Sequence, residues 1–508
     1  MLSKTISSGI CGIDAHIVEV EVDIVAGLPN FTIVGLPDST IKESKTRIRS
    51  AIENSGFEFP PSNYAVNLAP AWVRKQGVAF DLPIAIALLR ASGQVAAPAH
   101  DTPMVGEISL DGGIKPVHGV IAMAIAFYRS GYRRMIVPFE NRFEAAAVGE
   151  IAVFPVRSIG EVIRVLAGEA EPFVAGDPAP HDDGAAHDFA DVRGQETAKR
   201  ALEIAAAGGH NVLLYGPPGS GKTMLAKRLV GIMPPLSREE SIETTMIHSV
   251  GGALRVDAGL VAHPPFRAPH HTSSDAALVG GGRVPSVGEV SLAHNGILFL
   301  DEFVEFRNNV LQALRQPLED REIVIARAST SVRFPCSFLL VSACNPCQCG
   351  YLFDPEIPCS CPPGRRASYY AKIAGPLIDR VDIEVLVGRV PYRDLAGQAC
   401  AEPSGAIRER VLRARAVQEA RLAGSPGRCN ARMGNRDIRR HCGIDEECER
   451  LFERAVTGMS LSARSYFRVL RVARTIADLA GSARIERGHL VEAISYKNLE
   501  RNYRHKLE

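Results

Sequence analysis

Apolar and polar positions follow different rhythms along the chain. Val18-Glu-Val-Glu-Val-Asp-Ile24 alternates strictly, which predicts a strand with one buried face. Thr40–Asn54 is charged and helix-like. Leu82–Leu89, opening just after Asp81, and Val120–Phe127 are apolar helix candidates, and Arg134–Val137 reads as a short strand. This mixture predicts an α+β segment over residues 1–170. Residues 171–188 read EPFVAGDPAPHDDGAAHD, rich in Pro, Asp, Ala and Gly and without periodicity, which is linker composition. From 190 to 392 strand and helix patterns alternate, predicting a parallel α/β sheet. Beyond that the strand signals fade, and Ile407–Leu422, Glu446–Met459, Ala463–Ala480 and Glu486–Tyr503 read as helices. The expected division is 1–170, a linker 171–190, a core 191–392 and a helical segment 393–508.

Length and composition narrow the function. A chain of 508 residues suggests about three domains. Hydrophobic residues make up 46% and charged residues 23%, ordinary globular values that exclude a disordered chain. The net charge of +1 excludes a globally basic, histone-like binder but allows local basic patches. No apolar run is long enough to span a membrane. The first ten residues lack the pattern of a signal peptide, so a cytoplasmic location with reduced thiols is expected.

The sharpest motif is Gly216-Pro217-Pro218-Gly219-Ser220-Gly221-Lys222-Thr223. It fits G-x-x-x-x-G-K-[ST] in full, after the apolar run Val212–Tyr215 and before the helical pattern Met224–Val230. Glycines let backbone amides turn toward phosphates at the positive end of a helix. Lys222 is expected to reach the β- and γ-phosphates of ATP, and Thr223 to ligate Mg²⁺. Ile297–Leu300 is a second buried-strand run, ending in Asp301 and Glu302. Asp301 is the candidate second Mg²⁺ ligand, and Glu302 the candidate general base for the attacking water. A third run, Phe338–Ala343, leads to Asn345, which either orients the same water or simply forms a turn before Pro346. Together these parts read as an ATPase.

Five of the 11 cysteines fall between Cys344 and Cys361. Cys347, Cys349, Cys359 and Cys361 are the candidate ligands of a structural Zn²⁺, although C-x-C is tighter than the usual spacing. Reduced structural thiols and a redox switch are the alternatives. His270 and His271 have no evident third ligand, which favours loop packing or a DNA contact. Residues 408–440 hold ten arginines against three acids, either a solvated face with ion pairs or a phosphate-contacting surface.

These residues resemble a known family. The phosphate loop, Leu298-Phe-Leu-Asp-Glu302 and Asn345 look like AAA+ ATPases. Pro265–Thr272, Ala277–Gly282, Gly288–Glu302 and Cys344-Asn-Pro-Cys347 are similar to the magnesium-chelatase-like ComM/YifB family, and the likeness covers nearly the whole chain. The resemblance implies a multidomain α/β protein. Its parts would be a Lon-protease-like N-domain of the ribosomal S5 domain 2-like α+β type, an AAA+ core with a Cys-rich insert at 344–361, and a helical lid. It implies a homo-hexameric ring that uses ATP to drive branch migration of DNA, branched or single-stranded, in natural transformation and recombination. It makes Arg380, in Gly375–Asp382, the arginine finger that reaches a neighbour's γ-phosphate. It makes Arg464 the second sensor arginine, with Arg468 the alternative. The segments Glu322–Arg327 and Ser331–Arg333 resemble an inserted pore hairpin, so Arg327 and Arg333 are candidate DNA contacts, against ordinary surface charge.

The N-terminal segment departs from an active Lon protease. Asp81 stands where the nucleophilic serine should be, and Ile121 where the lysine should be. Without nucleophile and base no acyl transfer is expected, and the segment reads as a scaffold or DNA-guiding collar. Two alternatives to the DNA motor stay open, a chelatase-like ATPase subunit and a protein-remodelling AAA+ ATPase.

Overall fold

The computed structural model describes residues 2–96, 101–174, 188–256, 258–282, 286–327, 330–375, 377–391, 401–424, 428–459 and 461–507. The chain opens with a hairpin of β1 (Leu2–Cys11) and β2 (Asp14–Val25). The predicted alternation in β2 is realised: Val18, Val20 and Val22 are fully buried, while Glu19 and Glu21 pair with Lys4 across the hairpin. β3 (Asn30–Val34) and β4 (Asn63–Ala69) complete a sheet of order β1-β2-β4-β3. The helix Ser39–Asn54 starts where Asp38 accepts a hydrogen bond from the Ile41 N–H at 2.9 Å. The helix Asp81–Ala91 is buried almost all round, which is why it reads as an apolar run without a polar face. Val120–Arg129 forms a third helix. Two small pairs follow, β5 (Glu107–Ile108) with β6 (Ile114–Lys115), and β7 (Arg134–Pro138) with β8 (Ala152–Val156). Most of the linker composition, residues 175–187, lies outside the described residues.

The second sheet is parallel, built from β9 (Val212–Tyr215), β10 (Phe266–Arg267), β11 (Ile297–Leu300), and, after an antiparallel hairpin of β12 (Glu322–Arg327) with β13 (Thr330–Pro335), from β14 (Leu339–Cys344) and β15 (Ile383–Leu386). Its order is β10-β11-β14-β9-β15. Every residue of β9, β11 and β14 is buried, so these strands appear in the sequence as unbroken apolar runs. The helices Glu196–Gly208, Ser404–Arg421 and Ala463–Leu479 cover one face. The other face is covered by the β12–β13 hairpin, the cysteine-rich segment, Leu499 and Tyr503.

Two parts differ from the sequence reading. The helix expected over Glu486–Tyr503 is two helices, Arg487–Ser495 and Leu499–Leu507. The break serves a buried ion pair: Lys497 Nζ sits 2.7 Å from Glu384 Oε1, and the Leu499 N–H donates to Glu384 Oε2 at 3.0 Å. Further helices, Arg238–Val250, Pro363–Ile373 and Asn435–His441, were not expected. The first of them ties the N-terminal segment to the core. Ser249 donates to the buried Glu144 carboxylate and accepts from the Gly119 N–H at 2.8 Å. Glu144 also accepts from the Ile121 N–H at 2.9 Å, and burial holds its carboxyl above the usual range.

Candidate nucleotide site

The phosphate loop leaves the carboxyl end of β9 and runs straight into the helix Lys222–Arg228. Gly216 is required by a close approach, since a Cβ there would lie 2.0 Å from the Val387 carbonyl oxygen. Gly219 and Gly221 take φ values of +75° and +90°, which a side chain would strain. The Ser220 hydroxyl is buried and has no hydrogen-bond partner among the described residues. Gln195, itself left-handed at φ +61°, braces the loop by donating to the carbonyls of Ser220 at 3.2 Å and Gly388 at 2.7 Å. In the sequence Gln195 is marked only by Gly194 just before a helix start.

The neighbouring strands deliver the other candidates. β14 lies between β9 and β11, so the three carboxyl ends are adjacent. Lys222 Nζ donates to the Gly216 carbonyl at 2.8 Å, the Pro217 carbonyl at 2.9 Å and Asn345 Oδ1 at 3.3 Å. Burial pushes the Lys222 ammonium below its ordinary value, and the charges of Asp301 and Glu302 pull the other way. The Thr223 hydroxyl donates to Asp301 Oδ2 at 2.7 Å. Glu302 follows at φ +48°, with its N–H donating to Asp301 Oδ1 at 3.0 Å. Lys222, Thr223, Asp301, Glu302 and Asn345 thus gather at one edge of the sheet.

The cysteines continue this edge. The Sγ atoms of Cys347, Cys349, Cys359 and Cys361 all lie within 4.8 Å of one another. Cys347 to Cys349 is 3.4 Å, Cys349 to Cys359 3.5 Å and Cys347 to Cys359 3.7 Å. A tetrahedral zinc with 2.3 Å bonds sets its sulfurs about 3.8 Å apart, so the donor set fits that metal. Cys344 stays out of the group, buried in β14. The segment packs on the phosphate loop: a Cβ on Gly350 would meet Pro218 at 2.6 Å, and the Phe353 ring lies edge-on to Tyr215.

Other candidates lie elsewhere. Arg380 pairs with Glu319, and its carbonyl accepts from Asn211 at the amino end of β9, the opposite edge of the sheet. Arg464 is largely exposed, 4.0 Å from the same Glu319, and Arg468 is 3.4 Å from Asp382. Neither Arg380 nor Arg464 joins the phosphate loop of its own chain. Arg333 is exposed and faces Glu322 at 3.6 Å across the hairpin. The Arg327 side chain lies outside the described residues.

Six of the ten arginines in 408–440 are engaged inside the chain. Arg408 and Arg415 donate to carbonyls, Arg410, Arg421 and Arg428 pair with carboxylates, and Arg432 donates to Ser337. For those six the reading as charge engaged within the chain holds, since the helix Ser404–Arg421 packs against the core, while Arg432 meets only a neutral hydroxyl. His270 and His271 stack on each other at 4.1 Å and gather no metal-ligand cluster among the described residues. Asp81 is buried and held by Arg47 at 2.9 Å, and Ile121 is fully buried, so no serine–lysine pair exists there.

A parallel P-loop sheet, an acidic strand end beside it and a helical C-terminal segment define a magnesium-chelatase-like AAA+ ATPase. The family described as magnesium chelatase, subunit ChlI, matches residues 188–395, its subunit ChlI counterpart residues 20–141, and its C-terminal counterpart residues 401–497. Within that class the chain belongs to the ComM/YifB family. It is 41% identical to competence protein ComM of Haemophilus influenzae, over 96% of each chain. It is 42% identical to YifB of Salmonella typhimurium, again over 96% of each. A stretch of 146 residues is 30% identical to Lon protease 2 of Bacillus subtilis, covering 28% of this chain and 26% of the protease.

Proposed function

We propose that this chain is an ATP-driven ring motor that binds DNA and promotes branch migration in natural transformation and homologous recombination. One observation carries the ATPase part. Three adjacent strand ends bring Lys222 within 3.3 Å of Asn345 and Thr223 within 2.7 Å of Asp301. The backbone of Gly216–Thr223, with Pro217, Pro218, Gly219, Ser220 and Gly221, wraps the phosphates, and Ser220 offers its spare hydroxyl. Lys222 binds the β- and γ-phosphates. Thr223 and Asp301 are hard oxygen donors that fit Mg²⁺, which when bound neutralises charge on those phosphates. Glu302 accepts the proton of the attacking water, and Asn345 orients that water. Arg380, together with Arg464, serves the triphosphate held by the next copy in a homo-hexamer, since it stands on the edge away from its own loop. Cys347, Cys349, Cys359 and Cys361 hold a structural Zn²⁺ that pins the segment behind Asn345 against Pro218.

The DNA part rests on full-length similarity to a protein named for competence. Arg327 and Arg333 on the hairpin are its candidate contacts, and a cytoplasmic location suits it. The test is ATP turnover measured alone, with branched DNA and with a porphyrin. Several-fold stimulation by DNA is expected. Stimulation by porphyrin and not by DNA would favour the chelatase-like reading instead.

A further inference from the structure

A cavity of about 670 Å³ opens at the sheet edge opposite the phosphate loop. Asn211, Gly296, Leu339 and Asp382 line it, at or just before the amino ends of β9, β11, β14 and β15. Eight arginines share its wall with four carboxylates. Those acids are largely committed. Glu319 is held by Arg380, Asp382 lies near Arg468, and Glu240 accepts from the Ser237 N–H at a helix start, while Glu419 is exposed. Arg428 pairs with Glu239, Arg464 lies near Glu319 and Arg415 donates to the Ala206 carbonyl, which leaves three guanidiniums: Arg321, Arg432 and Arg471. Among the described residues no carboxylate makes an ion pair with any of them.

Several observations agree that positive charge here is uncompensated. Arg471 Nε is buried and has no hydrogen-bond partner. Arg432 donates to a neutral group, the Ser337 hydroxyl. Arg321 itself ends the helix Arg315–Asp320 at φ +59°, a backbone position that glycine also suits. Burial, with Arg432 and Arg471 beside it, pushes Arg321 down to about 10. Burial alone would raise the Cys429 thiol, yet Arg415, Arg432 and Arg321 hold it below its ordinary value.

Like charges gathered in a half-buried space repel unless an anion joins them, and guanidinium forks match phosphate oxygens. We propose that Arg321, Arg432 and Arg471 form a phosphoryl-anion site in this cavity. The phosphoryl group has two sources. It is a free phosphate or polyphosphate, or it is the end of a triphosphate held by a second copy of this chain. Only the second source rests on the ring reading; the first needs one chain alone.

The test uses the full chain carrying Lys222→Ala, which disables the phosphate loop. Calorimetry with inorganic tripolyphosphate should still detect salt-sensitive binding. Adding Arg432→Gln and Arg471→Gln should weaken it roughly tenfold or more. Arg321→Gly suits φ +59°, so it removes one charge without backbone strain and should weaken binding several-fold with the thermal midpoint preserved. Absence of binding in the Lys222→Ala chain, or equal binding with and without the three arginines, overturns the proposal. Mixing then separates the sources. Lys222→Ala chains combined with Arg432→Gln/Arg471→Gln chains turn over ATP faster than the two alone if a second copy supplies the phosphate. Simple additivity, with tripolyphosphate binding intact, assigns the site to a free anion. A chain that never assembles keeps tripolyphosphate binding, so failure of the ring reading and failure of the site give different results.

Discussion

At the end of β11 the backbone swings into the left-handed region at Glu302, φ +48°. A non-glycine residue there costs about 1 kcal/mol or more, and such strain persists where its surroundings impose it. Here the turn is fixed by the Glu302 N–H donating to Asp301 and by the buried Phe303 that follows. If Glu302 is the base, Glu302→Gln keeps ATP affinity but lowers turnover by roughly 10²- to 10⁴-fold. Turnover within a few-fold of the parent, at unchanged ATP binding, contradicts that role. A second residue-scale prediction concerns Asp81, whose carboxyl burial pushes up to about 6 against the opposing pull of Arg47. An acid raised on folding favours the fold fully below its unfolded value, near 3.8 here, and that contribution is lost as pH rises through about 6. Asp81→Asn cannot ionise, so thermal midpoints from pH 4 to 7 should vary less in the variant than in the parent. An unchanged slope contradicts the burial account.

The strands that build the candidate site were readable because burial on both faces leaves one pattern, an unbroken apolar run ending in polar residues. The break at Tyr496–Asn498 was not readable, because its cause is Glu384, more than a hundred residues away. At the break the Glu384 N–H donates to the Tyr496 carbonyl at 2.9 Å, beside the buried ion pair with Lys497. The Cys-rich segment is intermediate. Its spacing pointed to four ligands, but only the fold shows that their sulfurs converge and that Gly350 rests on Pro218. Purified protein is therefore expected to carry one zinc per chain. Stripping it with a chelator should lower the thermal midpoint and ATP turnover together, because the same segment backs Asn345 and the phosphate loop. Well under one zinc per chain, with freely titrating thiols, contradicts this.

For the whole molecule, the net charge of +1 hides a local excess of positive charge. Lys222, Thr223, Asp301 and Asn345 stand at the carboxyl edge of the sheet, while Arg380, Arg464 and an excess of arginines line a cavity at the amino edge. A parallel sheet holds its two edges apart, so one chain cannot bring its own Arg380 to its own phosphate loop. Juxtaposing two copies can. The resemblance singled out Arg380 in the sequence, but not its gathering with residues 321, 432 and 471, which lie far from it and from one another along the chain. The N-terminal segment is joined to the core through Glu144 and Ser249.

The proposed function has ATP turnover at this site move branched DNA. Strand exchange on a synthetic mobile four-way junction, with Lys222→Ala as control, tests it most directly. ATP-dependent branch migration by the intact chain, and none by the variant, is expected. Steady ATP hydrolysis with junctions that never move would contradict it and shift the motor's work to another substrate.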